Sequence, residues 1–245
     1  IRSEIITFLL TDKKVREVIS FKGIKIRGAR IEGELDLAFA DIPFPVVFNS
    51  CAFPDGINLT GAKVRRLDFG ESFIKNFVAE GAEIDDCLFL ENSTCIGVVD
   101  LMGAKIGGDL HCRGSKFEKK NEEKNKYALM AETINVQGRI ILDEGFIANG
   151  GVDLIGAYIG RGLGCSRGKF YNEDGIALFA YNIKVDKDVF LDKVDVIGEI
   201  NLAGAEINGN LICTGGKFEN EFGTALNAEY ANIKYDVCLN SNKEN

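Results

Sequence analysis

The sequence lacks tryptophan altogether and has only three prolines and one histidine among its 245 residues. It also has no run of about 18 apolar residues, which excludes a transmembrane helix, and it shows no secretory-type leader. Glycine, by contrast, occurs 28 times. Many glycines with few prolines are typical of a chain that makes many tight, regular turns. The apolar fraction of 46 % is enough for a sizeable core.

Net charge is distributed unevenly between the N-terminal end and the rest of the chain. Residues 1–30 carry eight basic and three acidic side chains, a net charge of +5. The whole chain has a net charge of −8, which leaves −13 for residues 31–245. An acidic body argues against direct binding of nucleic acid. It permits a basic partner protein, and the basic end permits contact with an anionic surface or end-to-end stacking.

A long internal repeat is visible without gaps in three 19-residue segments. They are Val99–Phe117 (VDLMGAKIGGDLHCRGSKF), Val152–Phe170 (VDLIGAYIGRGLGCSRGKF) and Ile200–Phe218 (INLAGAEINGNLICTGGKF). After a link of variable length, each is followed by another matching block. Self-similarity at a fixed period is the signature of a repeat architecture.

A finer period underlies the long one. Apolar or small residues come in pairs two positions apart, at steps of five or six residues, and two positions apart is one face of an extended segment. Such short steps predict a chain that turns a corner every few residues, so that four faces close one coil of about 20–22 residues. The predicted inward pairs of the first half are Ile24/Ile26, Ala29/Ile31, Leu35/Leu37, Ala40/Ile42, Val46/Phe48, Cys51/Phe53, Ile57/Leu59, Ala62/Val64, Leu67/Phe69, Ser72/Ile74, Phe77/Ala79, Ala82/Ile84, Cys87/Phe89, Ser93/Cys95, Val99/Leu101, Ala104/Ile106, Leu110/Cys112 and Ser115/Phe117. Those of the second half are Ile134/Val136, Ile140/Leu142, Val152/Leu154, Ala157/Ile159, Leu163/Cys165, Ile183/Val185, Val189/Leu191, Ile200/Leu202, Ala205/Ile207, Leu211/Cys213 and Val237/Leu239.

The pattern therefore predicts an all-β fold, a right-handed parallel β-helix solenoid with a quadrilateral cross-section. Roughly nine coils at about 4.8 Å each would make a rod on the order of 43 Å long. Residues 21–245 form this single domain, and residues 1–20 form a helical N-terminal cap, with a helix over residues 2–20. The apolar set expected to face the rod is Ile5, Ile6, Phe8, Leu9, Val15, Val18 and Ile19. The last repeat stops at Leu239, so we expect an open final coil, a coil closed by a partner or a second copy, or a longer chain.

Three segments carry a family resemblance: GARIEGELDL at 28–37, GAKIGGDLHC at 103–112 and GAEINGNLIC at 204–213. They resemble the pentapeptide-repeat superfamily, in which the alanine and the apolar residue two positions later point inward. The order of the pieces, from IRSEIITFLLTD through PFP to longer links, is similar to a bacterial subgroup often labelled membrane-associated oxidoreductase. No redox motif accompanies it, so the resemblance implies the fold and not an activity. Fluoroquinolone-resistance members of the superfamily imply DNA mimicry against topoisomerases, with which an acidic body is compatible.

Six of the seven cysteines occupy predicted inward positions and are interpreted as core residues: Cys51, Cys87, Cys95, Cys112, Cys165 and Cys213. Cys112, Cys165 and Cys213 occupy the same site in the three long repeats, but successive equivalents lie two coils, about 9–10 Å, apart. That separation exceeds the reach of a disulfide and of shared zinc. Buried free cysteine behaves as a small hydrophobe, and unpaired cysteines favour a reducing compartment, so we expect a cytoplasmic protein.

The sequence offers weak candidates for catalysis or cofactor binding. His111 should alternate outward beside inward Cys112, with no nucleophile or oriented carboxylate evident near it. The glycine-rich segment 160–169 (GRGLGCSRGK) departs from a phosphate-binding loop, because Leu163 stands in place of its first glycine and Phe170 in place of its hydroxyl residue. We therefore predict no catalytic, cofactor-binding or metal-ligating residue, and no cofactor.

The links between repeats are the candidate interaction sites. Glu118–Lys126, Tyr171–Gly175 and Glu219–Gly223 interrupt equivalent sites after an inward phenylalanine, and should protrude from one corner about two coils apart. Loops on one edge of a solenoid often make its binding face. The candidate interaction residues are Lys119, Lys120, Glu122, Asn172, Glu173, Asp174, Asn220 and Glu221.

These observations predict a non-catalytic scaffold for protein interactions, an acidic rod whose partner is another protein or a second copy of the chain. One alternative is a DNA-mimic inhibitor of a topoisomerase, which predicts a dimer and a continuous acidic stripe. A second is the soluble part of a membrane-associated protein, whose membrane contact would lie in segments outside this sequence. An enzyme would need a concave polar site, which the sequence does not show.

Overall fold

Very short strands separated by tight turns make up most of the chain in the computed structural model, which describes residues 1–119, 126–221 and 223–240, the side chain of Asp174 excepted. The strands stack as a parallel β-solenoid of about nine turns. Each coil passes four faces, here numbered first to fourth in chain order. The predicted β-helix with a small N-terminal helical cap is thus confirmed.

On each face, strands from successive coils are parallel to one another and are stacked along the rod. First-face strands are Ile24–Arg27, Leu88–Phe89, Leu110–His111, Ile140–Ile141, Leu163–Gly164, Val189–Phe190, Leu211–Ile212 and Val237–Cys238. Second-face strands are Ala52–Phe53, Phe73–Ile74, Thr94–Ile96, Lys116–Glu118, Ile147–Asn149 and Lys217–Glu219. Third-face strands are Leu35–Asp36, Ile57–Asn58, Phe77–Val78, Val99–Asp100, Tyr127–Met130, Gly151–Asp153 and Leu226–Asn227. Fourth-face strands are Glu83–Ile84, Lys105–Ile106, Asn135–Val136, Tyr158–Ile159, Lys184–Val185, Glu206–Ile207 and Asn232–Ile233.

Four longer strands pass round a corner from one face to the next. Asp41–Asn49 and Lys63–Asp68 join the fourth face to the first, and Lys169–Phe179 and Asp195–Asn201 join the second to the third. Because each strand pairs with its equivalent in the neighbouring coil, side chains of one alignment position form a row along the rod.

The core is the continuous stack of inward pairs. Apart from Ala40, which is half-buried, the inward pairs predicted between Leu35 and Cys213 are buried with one exception. Aromatic rings such as Phe48 and Phe69 stack with centroids 5.6 Å apart. The last predicted pair, Val237 and Leu239, is 48 % and 62 % exposed, so the last described coil presents its inward positions to solvent.

The exception is the predicted pair Cys87/Phe89, which is wrong by one residue. Leu88 pairs with Leu67 of the preceding coil and is fully buried together with Leu90, so Phe89 faces outward. Both alternating sets are apolar in this stretch, and a slip of one residue exchanges the two faces of a strand. Stacking on the neighbouring coils decides the register.

The N-terminal cap is two helices, not one: α1 spans Ser3–Thr11 and α2 spans Lys13–Val18. Asp12 separates them in an extended conformation, and its Oδ1 accepts hydrogen bonds from the backbone N–H groups of Lys14 and Val15, both at 3.0 Å. An aspartate that accepts such bonds is a strong N-cap. The predicted continuous helix over residues 2–20 is therefore interrupted by a capping residue.

The buried stripe of the cap also differs from the prediction. Ile6 and Leu10 of α1 are buried against the solenoid, whereas Ile5, Phe8 and Val18 are 46 %, 55 % and 83 % exposed. Helical positions four apart lie on one face, so α1 covers the rod with a narrow stripe.

Candidate functional site

The residues from which the three predicted insertions depart lie at the corner between the second and third faces. The register places Glu118 beside Asn149, Asn149 beside Tyr171, Tyr171 beside Ile197, and Ile197 beside Glu219. The insertions follow Glu118, Tyr171 and Glu219, so they occur on every second coil.

The coils between them turn the same corner with a glycine. Gly150 and Gly198 have φ values of +131° and +114°. This is a backbone region in which residues with a Cβ are strained. A Cβ on Gly198 would also lie 2.6 Å from the carbonyl oxygen of Asn172 in the neighbouring insertion. The glycine turns therefore leave room for the insertions above and below them.

An asparagine closes each of two insertions. The Nδ2 of Asn172 donates to the carbonyl oxygen of Ile176 at 2.9 Å, and the Nδ2 of Asn220 donates to that of Thr224 at 2.8 Å. Asn172 is only 7 % exposed, so its role is to hold the insertion rather than to present a polar group at the surface. The sequence predicts Asn172 as an interaction residue, because its polar neighbours in sequence do not reveal this bond.

The remaining candidate residues divide into three groups. Glu173 and Glu221 are exposed, and Lys119 is half-buried. Lys120 and Glu122 lie outside the described residues, as does the side chain of Asp174.

The second insertion is less of a loop than predicted. Tyr171–Gly175 is part of the continuous strand Lys169–Phe179, and the pairing of that strand with Asp195–Asn201 is interrupted between Tyr171 and Ile176. It is thus a bulge on an ordered strand, a device that re-aims side chains without ending the sheet.

A cleft lies on the outward side of the first face. Successive coils place one outward residue each in a single row: Val47, Asp68, Phe89, His111, Ile141, Gly164, Phe190, Ile212 and Cys238. Gly164 contributes no side chain, and a cavity of about 430 Å³ opens there, with Ile141 and Phe190 on its two sides.

His111 lies at one end of this cleft and is more constrained than predicted. Its ring stacks on Phe89 with centroids 4.4 Å apart and planes 9° apart. Its Nδ1 lies 3.4 Å from Glu91 Oε1, and its Nε2 lies 3.6 Å from Asp109 Oδ2. The prediction that no carboxylate is oriented near His111 is therefore wrong. Glu91 belongs to the preceding coil, 20 residues away in sequence, so only the alignment of coils brings it close.

The rim of the cleft carries ion pairs. Arg113 donates to both carboxylate oxygens of Asp143, at 2.9 and 3.3 Å, and this carboxylate raises the pKa of the guanidinium. Arg139 Nη2 lies 3.4 Å from Asp109 Oδ2. Ser166 Oγ donates to Asp192 Oδ1 at 2.5 Å, so the hydroxyl in this cleft is directed to a carboxylate and not to His111.

Charges on the fourth face are interleaved rather than gathered by sign. On the fourth face Glu83 lies between Lys63 and Lys105, each 3.1 Å away, and these two lysines lower the pKa of Glu83. Lys184 and Glu206 pair further along the same face at 3.0 Å. Such pairing does not produce the continuous acidic stripe that the DNA-mimic alternative predicts on this face.

Acidic and amide side chains on the third face serve the fold. Asp100 Oδ1 accepts from the N–H of Met102, and Asp153 Oδ1 accepts from that of Ile155, each closing the corner to the fourth face. Equivalent bonds on other coils are made by Asp36, Asn58, Asn201 and Asn227. Burial raises the pKa of Asp100 and of Asp153 above its ordinary value.

All seven cysteines are free thiols. Cys112, Cys165 and Cys213 are buried inward on every second coil of the first face, as predicted. Burial raises the pKa of each of the three thiols, that of Cys213 to about 11. Across the described ranges, no three or more His, Cys, Asp and Glu side chains are grouped so as to hold a metal ion.

The four-faced parallel solenoid, with alanines and branched residues at its inward positions, is the architecture that the sequence repeats predict. No family model matches the sequence, and no curated protein matches it. Among solved structures, the chain is similar to QnrB1, a plasmid-mediated fluoroquinolone resistance protein, with 15 % identity over 77 % of this chain and 91 % of that chain. The TM-score is 0.33, a value from which we infer nothing. In the part of the chain that the structure describes, neither helix is long and apolar enough to cross a bilayer.

Proposed function

We propose that this chain is a non-catalytic scaffold that binds a partner protein through the three insertions at the second-to-third corner. The observation that carries the proposal is their register. They recur on every second coil, so their bases are about 10 Å apart along one straight edge. A row of insertions along one edge of a solenoid is a common form of protein-binding surface.

The order within the insertions supports the same function. The bonds of Asn172 and Asn220 hold two of the insertions before any partner arrives. Segments ordered in advance lose less conformational entropy on binding, which favours affinity. The exposed carboxylates Glu173 and Glu221 give this edge an acidic character suited to a basic partner.

The contacts of His111 and Ser166 support a non-catalytic role. A histidine that acts as a general base needs a proton donor to act on within hydrogen-bond reach. The nitrogens of His111 both face carboxylates, and Ser166 donates to Asp192. We also propose a cytoplasmic location, because all seven cysteines are unpaired and disulfides persist in oxidising compartments.

The plain corners of the neighbouring coils supply a matched variant for testing the scaffold. In this variant, which we call the trimmed rod, residues 119–128 are replaced by Gly-Gly, the sequence at positions 150–151. Residues 172–177 and residues 220–225 are each replaced by Gly-Glu, the sequence at positions 198–199. The register predicts that the strands on either side still pair. Proteins captured by the intact chain are purified, and their dissociation constants are measured with both rods.

We expect the trimmed rod to unfold at a similar temperature and to bind the purified partner at least tenfold more weakly. A trimmed rod that binds equally well would show that the corner is not the contact surface. Failure of the intact chain to bind any purified candidate would contradict the scaffold function itself.

The two alternatives stay predictions with tests of their own. A DNA mimic would inhibit supercoiling by a purified topoisomerase, and the interleaved charges of the fourth face lead us to expect no inhibition. A membrane-associated role, including that of the oxidoreductase-labelled subgroup, would require membrane contact through segments outside this sequence.

A further inference from the structure

One position in the outward row of the first face has no side chain, a gap that we call the vacancy. The backbone conformation at this position does not require glycine. Gly164 lacks the positive φ that favours glycine, and a Cβ added to it would meet no atom nearer than 3.7 Å. A larger residue could therefore occupy this position. Every other described member of the row from Val47 to Cys238 carries a side chain.

The vacancy has the width of one flat ring. Ile141 and Phe190 lie one coil to either side of Gly164, so a group seated there would be about 4.8 Å from each strand. Aromatic groups stack at centroid separations of about 4.5–7 Å. We call the space bounded by Ile141, Gly164 and Phe190 the Gly164 slot. Phe190, 36 % exposed, forms one wall of it.

The same row already holds such a stack two coils earlier. The guanidinium of Arg66 lies 4.4 Å from the centroid of the Phe89 ring, and the ring of His111 lies parallel to Phe89 at 4.4 Å. Flat groups on consecutive coils thus pack face to face on this surface. A ring in the Gly164 slot would extend that arrangement towards Phe190.

The charged groups around the slot balance one another, which favours an uncharged group as its ligand. Among the lining groups, Glu91 and Asp143 balance Arg113 and Arg139. Arg113 is held by Asp143 and Arg139 by Asp109, so neither cation is positioned solely to receive an anion. Buried neutral aromatic anchors surrounded by polar rims are the usual high-affinity contacts of protein interfaces.

We propose that the Gly164 slot binds an aromatic side chain of the partner protein, as a second contact on the first face, which the second face separates from the insertion corner. This inference rests on the proposed scaffold function. The partner would therefore place a ring on the first face, extend across the second face and contact the insertions with another segment.

The first test uses N-acetyl-tryptophanamide as the probe and the isoleucine methyl groups as reporters in NMR. We expect an upfield ring-current shift of the Ile141 δ-methyl with a millimolar dissociation constant, and no shift from the saturated analogue N-acetyl-cyclohexylalaninamide. Gly164→Ile fills the slot and should weaken probe binding at least tenfold. Val47→Ile, which enlarges a side chain in the same row far from the slot, should leave binding unchanged.

Removal of a wall gives a second, independent variant. Phe190→Ala should weaken probe binding at least fivefold, whereas Phe73→Ala removes a similarly exposed ring from the second face and should have no effect. The absence of an Ile141 shift, or a shift that persists in Gly164→Ile, would overturn the proposal. Equal binding of the saturated analogue would also overturn it.

The scaffold and the slot can fail separately. The trimmed rod should bind the probe normally, because the insertions lie on another corner. Gly164→Ile should weaken binding of the purified partner at least tenfold. If the probe binds but Gly164→Ile leaves the affinity for that partner unchanged, the slot is not a partner contact, and the scaffold function still stands.

Discussion

Where the coil bends, buried polar side chains form hydrogen bonds with backbone groups inside the core. Ser72, Ser93 and Ser115 are buried at the corner between the first and second faces. The Oγ of Ser93 donates to the carbonyl oxygen of Phe69 at 2.7 Å and accepts from the N–H of Ser72 at 3.1 Å. Small polar members of the inward pairs therefore stand where a corner leaves a backbone group that needs a partner.

Asp153 is a residue whose charge opposes folding. Burial raises its pKa, so the folded state binds its proton more tightly than the unfolded state. Stability therefore falls as pH rises from the ordinary carboxyl pKa of about 3.9 through the raised value. At neutral pH the full cost of burying the charge is present.

We expect Asp153→Asn to raise the free energy of unfolding at pH 7 by a few tenths to about 1 kcal/mol. Asparagine makes the same corner bond at Asn58, Asn201 and Asn227, so the turn is kept. Urea unfolding at pH 7 measures the change. The matched control is Asp36→Asn at an exposed equivalent, which should change stability little, and a destabilised Asp153→Asn would contradict the argument.

At the scale of the element, α1 attaches to the rod through very few side chains. Leu10→Ala should lower the free energy of unfolding by about 2–5 kcal/mol, because Leu10 is fully buried and its removal leaves a cavity. Ile5→Ala, on the exposed side of the same helix, should cost less than about 0.5 kcal/mol. Thermal unfolding of the two variants distinguishes a docked helix from a loosely attached one, for which both changes would be small.

Element boundaries show what the sequence could and could not predict. The inward pairs and their four-faced closure follow from spacing alone, because a two-residue face repeated at five or six residues admits few other folds. The register at residues 87–90 does not follow, since Cys87/Phe89 and Leu88/Leu90 are both apolar. The break at Asp12 was missed because an aspartate inside an apolar helical pattern reads as a solvated position.

The candidate sites divide in the same way. The shared corner of the insertions was predictable because each follows an inward phenylalanine in aligned repeats. The cleft was not, because it arises from residues on separate coils, such as Glu91, His111 and Gly164. Which outward residues become neighbours depends on the length of each intervening coil, and links of variable length hide that alignment.

At the scale of the whole molecule, each coil touches only the coils beside it, so stability should vary along the rod. We expect Ile207→Ala to increase amide hydrogen exchange in the coils from about residue 183 to residue 240. Exchange around Leu59, six coils away, should stay as in the original chain. Hydrogen exchange measured by mass spectrometry tests this expectation, with Leu59→Ala as the reciprocal variant, and a uniform increase along the chain would contradict it.

At the corner where glycine turns alternate with insertions, the number of residues in the connection varies while the pairing of the flanking strands stays the same. Strands of the second and third faces are connected through Gly198 in one coil and through longer insertions in the coils on either side, and they pair in the same way in all three. Foreign peptides could therefore be grafted at 172–175 and 220–224 without altering the neighbouring pairing. Two epitopes would then be displayed at a separation of about 10 Å, set by the strand spacing, and the rod would serve as a molecular ruler for receptors that require two ligands at once.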